Sequence, residues 1–281
     1  MTEIRPSPRR APIPILSYHQ TDVAPPRGVP YRGLVLPPSR FERQMRALRS
    51  LGFRGLSMCD LAPYLRGERT GKVVGITLDD GYVNNFEHAL PVLSEVGFTA
   101  TSFVVSGQIG GSNVWDEPLG IPAAPLMTVS QLREWMAAGM EVGAHTRHHV
   151  ELPRCDLVRA RAEVVHCRDD LEQALGAPVR SFCYPYGQYR SEHVEMARAA
   201  GFETATTSDS ARARWNADLL RLPRITVWLS TPLLYLLARV CVDLDDWRRL
   251  GLPRPRLGPG VPSVSARAPT RAGVQTGEHL S

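Results

Sequence analysis

Short runs of strand-forming residues alternate with segments of helical periodicity along most of this chain, and no other feature constrains its fold as strongly. Residues 13–17, 73–76 and 98–105 are apolar runs of the kind that form buried strands. A segment with helical spacing of apolar residues, residues 41–51, lies between the first two runs. Roughly seven strands separated by helices in this way predict an α/β fold with a parallel sheet or barrel.

Several residues mark where the helices should begin or bend. We expect Ser39 to cap the helix that contains Phe41 and Met45. The sequence Thr-Val-Ser-Gln at 128–131 fits a capping box, in which the first and fourth residues cap each other's backbone groups. Pro91 should interrupt or kink a helix over residues 85–96, because proline cannot donate the helical hydrogen bond.

The chain divides into four regions. Its 281 residues begin with a short arm, 1–12, which we interpret as flexible, followed by a single domain over 13–228. Residues 229–250 contain an apolar run and predict a helix packed on the domain or on a partner, with a peripheral membrane contact as the alternative. Residues 251–281 are rich in proline, glycine, serine and arginine, and this composition predicts disorder.

Charge and cysteine usage restrict the partners and the compartment. The net charge is +5, much of it from arginines near the two ends. No nucleic-acid motif accompanies them, so we interpret the ends as solvated and expect no nucleic-acid partner. The five cysteines are scattered and contain no C-x-x-C pair, which is typical of free thiols in a reducing compartment. We find no apolar core of a secretory signal near residue 1, and the sequence therefore predicts a cytoplasmic protein.

Two adjacent carboxylates, Asp79 and Asp80, follow the apolar run 73–76 after two intervening residues. Gly81 then permits a sharp turn. Neighbouring carboxylates repel each other, so such a pair is costly at a strand end unless a cation or a shared proton is present. A solvated loop would account for an isolated pair, but the histidines described next favour a cation.

The second polar cluster is the sequence HTRHH at 145–149, which follows another strand-like stretch. The carboxyl ends of parallel strands meet at one edge, where active sites of α/β barrels form. Two imidazoles and a carboxylate are a common ligand set for divalent metals. The spacing of His145 and His149 would bring both imidazoles to one side of a single turn. His148 is the alternative to His149 as the second imidazole ligand.

Four segments in order resemble motifs of the polysaccharide deacetylases, carbohydrate esterase family four, which share the nodulation-type deacetylase domain. They are TLDDG at 77–81, HTRHH at 145–149, SFCYPYG at 181–187 and LPRI at 222–225. Each motif alone has limited specificity, but four in order over about two hundred residues form a specific pattern. The resemblance implies an irregular (β/α)7 barrel in a single domain. It also implies metal-dependent hydrolysis of an N-acetyl group on an amino-sugar-containing glycan or glycan precursor, with release of acetate.

The family pattern implies roles for individual residues. Asp80, His145 and His149 would bind the divalent metal, with zinc as the default and cobalt, nickel, manganese or iron as alternatives. Asp79 would be the general base. The metal would stabilise the oxyanion, and the resemblance implies the backbone N–H of Tyr186 as the second donor.

Two departures from the common family pattern require substitutes. Cys183 stands near the position where an arginine usually precedes the proline-tyrosine pair, and Arg180 or Arg224 would have to replace it. The usual late histidine motif is also missing, but LSYH at 16–19 matches it and follows the first strand. This permuted order resembles the branch that includes poly-N-acetylglucosamine deacetylases. We therefore predict that His19 is the general acid, the alternative being a core histidine bonded to backbone.

Other functions remain open at this point. One is a deformylase or another amide hydrolase that acts on a lipid-linked or small substrate. A second, of a different class, is a catalytically inactive carbohydrate-binding module. The four other histidines are expected at the surface: His88, His166, His193 and His279.

Overall fold

The computed structural model describes residues 11–215 and 217–242. The strands in chain order are β1 (Ile15–Tyr18), β2 (Gln20–Thr21), β3 (Val35–Leu36), β4 (Arg54–Leu56), β5 (Val73–Leu78), β6 (Thr101–Val104), β7 (Glu141–Ala144), β8 (Ser181–Cys183), β9 (Thr204–Ser210) and β10 (Leu222–Thr226). The helices are α1 (Pro38–Ser50), α2 (Met58–Leu65), α3 (Leu90–Val96), α4 (Val129–Ala137), α5 (Leu157–Leu175), α6 (Ser191–Ala199) and α7 (Leu233–Cys241).

Seven parallel strands close into a barrel. Their order is β1-β10-β9-β8-β7-β6-β5, and pairing of β5 with β1 closes the ring. β4 pairs with the first half of β5, and β6 pairs with its last two residues. β2 and β3 form a separate parallel pair. The predicted α/β fold, an irregular (β/α)7 barrel, is thereby confirmed for the described part of the chain.

Barrel closure makes the first and last strands neighbours. Leu16 of β1 pairs with Ile225 of β10, and Tyr18 pairs with Leu78 of β5. The residues after Tyr18 and Leu78 are the predicted acid and base, so the register itself sets them side by side. This adjacency is what the permuted motif order required.

The core fills the barrel and the layer beneath the helices. All six residues of β5 are buried, as expected for a strand covered on both faces. Helix α1 buries Phe41, Met45 and Leu48 along one stripe, which is the periodicity seen in the sequence. Helix α7 lies within the range predicted for a C-terminal helix and buries Leu236 and Val240 in the same core. Within the described residues, no helix is both long and apolar enough to cross a bilayer.

The helices confirm two predictions and correct one. Thr128 and Gln131 form the predicted capping box. The prediction that Ser39 caps α1 is wrong: the helix begins at Pro38, where the missing proline N–H costs nothing. The predicted interruption at Pro91 is confirmed: residues 85–89 form a π-helical turn, and α3 begins at Leu90 with Pro91 in its first turn. Three predicted regions lie wholly or partly outside the described residues: the arm 1–12 except for its last two residues, positions 243–250 of the C-terminal helical region, and the tail 251–281.

Candidate active site

The carboxyl ends of the barrel strands surround a cavity of about 270 Å³. Each predicted site residue lines it: His19, Asp79, Asp80, His145, His149, Tyr186 and Arg224. Six of these residues follow the carboxyl ends of β1, β5, β7 and β8. Arg224 lies within β10. The cavity is the place in the described structure where these elements converge, because parallel strands end on one rim.

Asp80, His145 and His149 form a compact, buried cluster. The Nε2 atoms of His145 and His149 lie 3.4 and 3.3 Å from Oδ1 of Asp80. That oxygen is buried and has no hydrogen-bond partner among the described residues. A buried carboxylate oxygen left unpaired between two imidazole nitrogens matches the donor set of a divalent metal. These three residues therefore fit a metal, as the sequence predicted, with room for a further ligand on the cavity side.

The tautomer of His145 follows from its backbone partner. Its Nδ1 lies 2.7 Å from the carbonyl oxygen of Cys183, which can only accept a hydrogen bond. Nδ1 must therefore carry a proton, so Nε2, on the Asp80 side, is the nitrogen that would bind a metal. The ring of His149 is held differently, stacked on Trp115 with centroids 4.7 Å apart and edge-on to Tyr186 at the same distance.

Strained backbone is concentrated around the cavity. Five non-glycine residues adopt a positive φ in the described structure, and all lie at the site or on its wall. They are Tyr31, Asp80, Thr146, His149 and Tyr186. Such conformations cost of order 1–3 kcal/mol each and persist only where surrounding contacts hold them. The positive φ values of Thr146 and His149 also show that the single turn between the two imidazoles is not helical.

The Asp79 carboxylate is paired with a buried arginine. Arg224 Nη1 donates to Oδ1 at 2.7 Å and Nη2 to Oδ2 at 2.8 Å. The other three N–H groups of the guanidinium donate to Thr207 O, Thr77 Oγ1 and Cys183 Sγ. All five donors are thus satisfied, so the buried cation is held in one orientation. Of the two arginines proposed as substitutes, Arg224 occupies the site, from the middle of β10.

The surroundings keep both carboxylates ionised. Burial by itself would raise the pKa of Asp79, but the positive charge of Arg224 and then that of His19 outweigh it, so the pKa lies below its usual value. Burial would also raise the pKa of Asp80, and contact with His145 and His149 holds it well below its usual range. At neutral pH Asp79 is therefore an anion able to accept a proton.

His19 faces the same carboxylate from the other side. Its Nε2 lies 3.8 Å from Oδ2 of Asp79, and its side chain is 23% exposed. Its Nδ1 has no hydrogen-bond partner among the described residues. The ring is therefore not held by a backbone hydrogen bond, which was the alternative interpretation of this histidine.

Tyr186 lies in the turn after β8 with φ +57°. Tyr186 lines the cavity, and its ring contacts that of His149. Its N–H donates to no backbone carbonyl in the described structure. A free N–H at this position is the donor that an oxyanion requires.

Two cavity residues were missed from the sequence. Trp115 stacks on His149, and Asp116 accepts hydrogen bonds from Asn113 at 2.9 Å and Tyr82 at 3.4 Å. Burial raises the pKa of Asp116, and the nearby charge of Asp80 adds to this increase. Both residues lie in a short 3-10 helix, Val114–Leu119, which no apolar periodicity in the sequence marks. The available signal was a tryptophan-acid pair in the loop after the predicted strand 98–105.

Several histidines and one arginine lie away from the cavity. His148 has a side chain 52% exposed and contacts Glu163, so it is not the alternative ligand in this geometry. Arg180 is exposed and pairs with Glu203 at 3.5 Å. The prediction that His193 lies at the surface is wrong, because its side chain is buried. Its Nδ1 accepts a hydrogen bond from the Arg190 N–H at the start of α6. His166 is exposed, His88 is partly exposed, and His279 lies outside the described residues.

Comparison with known proteins finds similarity to polysaccharide deacetylases, the family that the sequence motifs resemble. The family model described as polysaccharide deacetylase matches residues 66–205. YxkH of Bacillus subtilis, which is named only as a polysaccharide deacetylase, is 26% identical over 219 residues, 77% of this chain and 72% of the relative. A poly-beta-1,6-N-acetyl-D-glucosamine N-deacetylase of Staphylococcus aureus is 21% identical over 199 residues, 67% of this chain and 66% of the relative.

A solved structure matches the fold over most of its length. The deacetylase PplD of Streptococcus pyogenes, solved in complex with acetate, superposes with a TM-score of 0.71 at 25% identity. The match covers 82% of this chain and 99% of PplD.

Proposed function

The chain belongs to the polysaccharide deacetylase family, and from this premise we propose that it hydrolyses N-acetyl groups of an amino-sugar-containing glycan or glycan precursor, releasing acetate. The observation that carries the proposal is the joint placement of the metal-type cluster and the Asp79–Arg224 pair in one cavity. Hydrolysis of an amide needs an activated water, a base and an acid within reach of one carbonyl.

The residues divide the reaction between them. Asp80, His145 and His149 would hold the divalent metal, for which we propose zinc, and the bound ion would polarise the acyl oxygen and lower the pKa of water. Asp79 accepts a proton from the attacking water as the new C–O bond forms. The Tyr186 N–H donates to the oxyanion. His19 donates a proton to the amide nitrogen as the C–N bond breaks, which yields acetate and a free amine.

A single assay separates this function from its alternatives. Purified protein is supplied with zinc and incubated with N-acetylated, N-formylated and lipid-linked amino sugars, and the released acid is identified. Acetate release from an N-acetylglucosamine oligomer is the expected result. Formate release alone would identify a deformylase. Glycan binding without acid release, by metal-loaded protein, would identify an inactive binding module.

The assignment of His19 as acid predicts a substrate-dependent loss. His19→Ala should lower kcat for an N-acetyl substrate by roughly a hundred- to ten-thousandfold, more than it raises KM. The loss should shrink for an aryl acetate ester, because a phenolate leaves without protonation. Metal content should not change, since the cluster at Asp80 uses other side chains. Steady-state kinetics on both substrates and elemental analysis measure these quantities.

The matched control for this variant is His193→Ala. His193 is a buried histidine that does not line the cavity, so its loss should lower the melting temperature and affect amide and ester equally. If His19→Ala behaved in that same way, its proposed role in protonating the amine would be wrong.

We also propose that the protein acts in a reducing compartment, the cytoplasm, with a peripheral membrane contact through α7. All five cysteines are free thiols. Leu234 of α7 is 81% exposed, on the side away from Leu236. Cell fractionation should recover the protein both in the cytoplasm and on membranes washed with salt. Leu234→Asp should move the membrane-bound portion into the cytoplasmic fraction. Recovery from the periplasm or medium with a disulfide would contradict the proposal.

A further inference from the structure

The turn that carries both histidines of the cluster is bound from behind by one carboxylate, Glu163 of α5. Its Oε2 accepts the backbone N–H of Arg147 at 3.0 Å and that of His148 at 2.9 Å. Its Oε1 lies 2.8 Å from Nδ1 of His148. Glu163 is 5% exposed, so these contacts compensate a charge that burial would otherwise make costly.

This turn cannot hold its shape by local preference. Thr146 and His149 adopt φ values of +60° and +55°, and a β-branched residue is especially disfavoured there. The two N–H groups between them converge on a single oxygen, the arrangement of a backbone nest that binds an anion. Removing the anion would leave two backbone donors without an acceptor in a turn that is already strained.

Other contacts fix the opposite side of the turn. The Thr146 carbonyl accepts from the Ser106 N–H at 3.2 Å, and the Arg147 carbonyl accepts from the Gly107 N–H at 2.8 Å. The carbonyls are therefore held by the segment after β6, and the amides are held by Glu163.

We propose that Glu163 is a positioning residue for the metal centre: it holds the turn 145–149 in the strained form that directs Nε2 of His145 and of His149 toward Oδ1 of Asp80. The inference rests on the proposed function, because it concerns the affinity of the same cluster for a divalent ion. The backbone N–H of His148, and not its imidazole, is the part of this residue that anchors the turn.

The test measures zinc affinity of the full chain by competition with a chromophoric chelator, without any deacetylation assay. Glu163→Ala should weaken zinc binding about 10- to 100-fold, the usual cost of losing a residue that orients ligands. Glu163→Gln keeps one oxygen that can accept the amide N–H groups, so its zinc affinity should fall by less than that of Glu163→Ala. His148→Ala removes only the imidazole contact and should bind zinc nearly as the wild type does.

A second measurement separates positioning from general stability. The control Asp170→Asn alters another α5 carboxylate, one that pairs with the Arg147 side chain at 3.0 Å but not with the turn backbone. Melting temperatures of the metal-free variants are recorded beside the affinities, and cobalt absorption spectra report the geometry at the ion. Expected is a changed cobalt spectrum in Glu163→Ala and Glu163→Gln, and an unchanged one in Asp170→Asn.

The outcomes are distinguishable from failure of the proposed function. If the wild type itself bound no zinc or cobalt, the metal centre would be wrong. If the wild type bound zinc and Glu163→Ala bound it equally well, with only a lower melting temperature, the positioning role would be refuted alone. Should Glu163→Ala not fold, wild-type affinity and cobalt spectrum in Glu163→Gln would refute it.

Discussion

His145→Ala or His149→Ala should abolish metal binding and activity together, whereas Asp79→Asn should abolish turnover and retain the metal. The two histidines supply nitrogens beside the unpaired oxygen of Asp80, so either loss leaves two ligands of three. Asp79 instead pairs with Arg224 and contributes a base, whose loss costs roughly a hundred- to ten-thousandfold in kcat. Elemental analysis and acetate-release kinetics on the purified variants measure both quantities.

The neighbouring histidine provides the matched control. His148→Ala removes an imidazole one residue away, on a side chain that faces Glu163 and solvent, and should leave the metal content unchanged. Asp79→Asn leaves the buried Arg224 beside a neutral partner, so its melting temperature will fall and metal must be measured on folded protein. Metal loss in Asp79→Asn comparable to that in His149→Ala would overturn the division between base and ligand.

Loss of Arg224 should have the largest effect on stability of any single substitution in the site. Arg224→Ala leaves the buried carboxylate of Asp79 unpaired, which typically costs about 3–5 kcal/mol. Arg224→Lys keeps the charge but cannot make the two parallel hydrogen bonds or satisfy the remaining acceptors, so it should rescue only part of the loss. Chemical denaturation curves of the variants measure the free energy of unfolding.

Arg224→Ala should also change the pH dependence of activity. The pKa of Asp79 lies below its usual value because the charge of Arg224 outweighs burial, and removing that charge leaves burial to raise it. The acidic limb of kcat/KM should therefore move to higher pH in Arg224→Ala. The stability of the wild type also decreases toward acidic pH. The wild-type pair stabilises the fold above the unfolded carboxyl pKa, and this contribution is lost as pH falls through the lower folded pKa.

Arg180 is the matched arginine for this comparison. It is exposed, pairs with Glu203 at 3.5 Å and lies outside the cavity, so Arg180→Ala should change the unfolding free energy by less than about 1 kcal/mol. Its pH profile should match that of the wild type. Equal effects of the two substitutions, or an unshifted acidic limb in Arg224→Ala, would show that the buried pair does not tune the base.

The sequence alone determined the features that depend on local pattern. The buried run of β5 and the apolar stripe of α1 were legible because strand and helix periodicities are set by neighbouring residues. The positions of Asp79, Asp80 and the histidines at strand ends followed from the same pattern and from the family motifs. Since parallel strands end on one rim, their convergence could be predicted without coordinates.

Only the tertiary structure decided which distant residues complete the site. Arg224 lies 145 positions from Asp79, and the LPRI segment that contains it does not by itself say which side chain its guanidinium reaches. Pairing of β1 with β10 decides that Arg224, and not Arg180, contacts the carboxylate. Trp115 contacts His149 from a 3-10 helix, and Glu163 binds the turn 145–149 from α5. The positions of both elements depend on packing. Local sequence specifies periodic structure because its hydrogen bonds are local. Contacts across a closed barrel depend on the register of all its strands, and this register is a property of the whole fold.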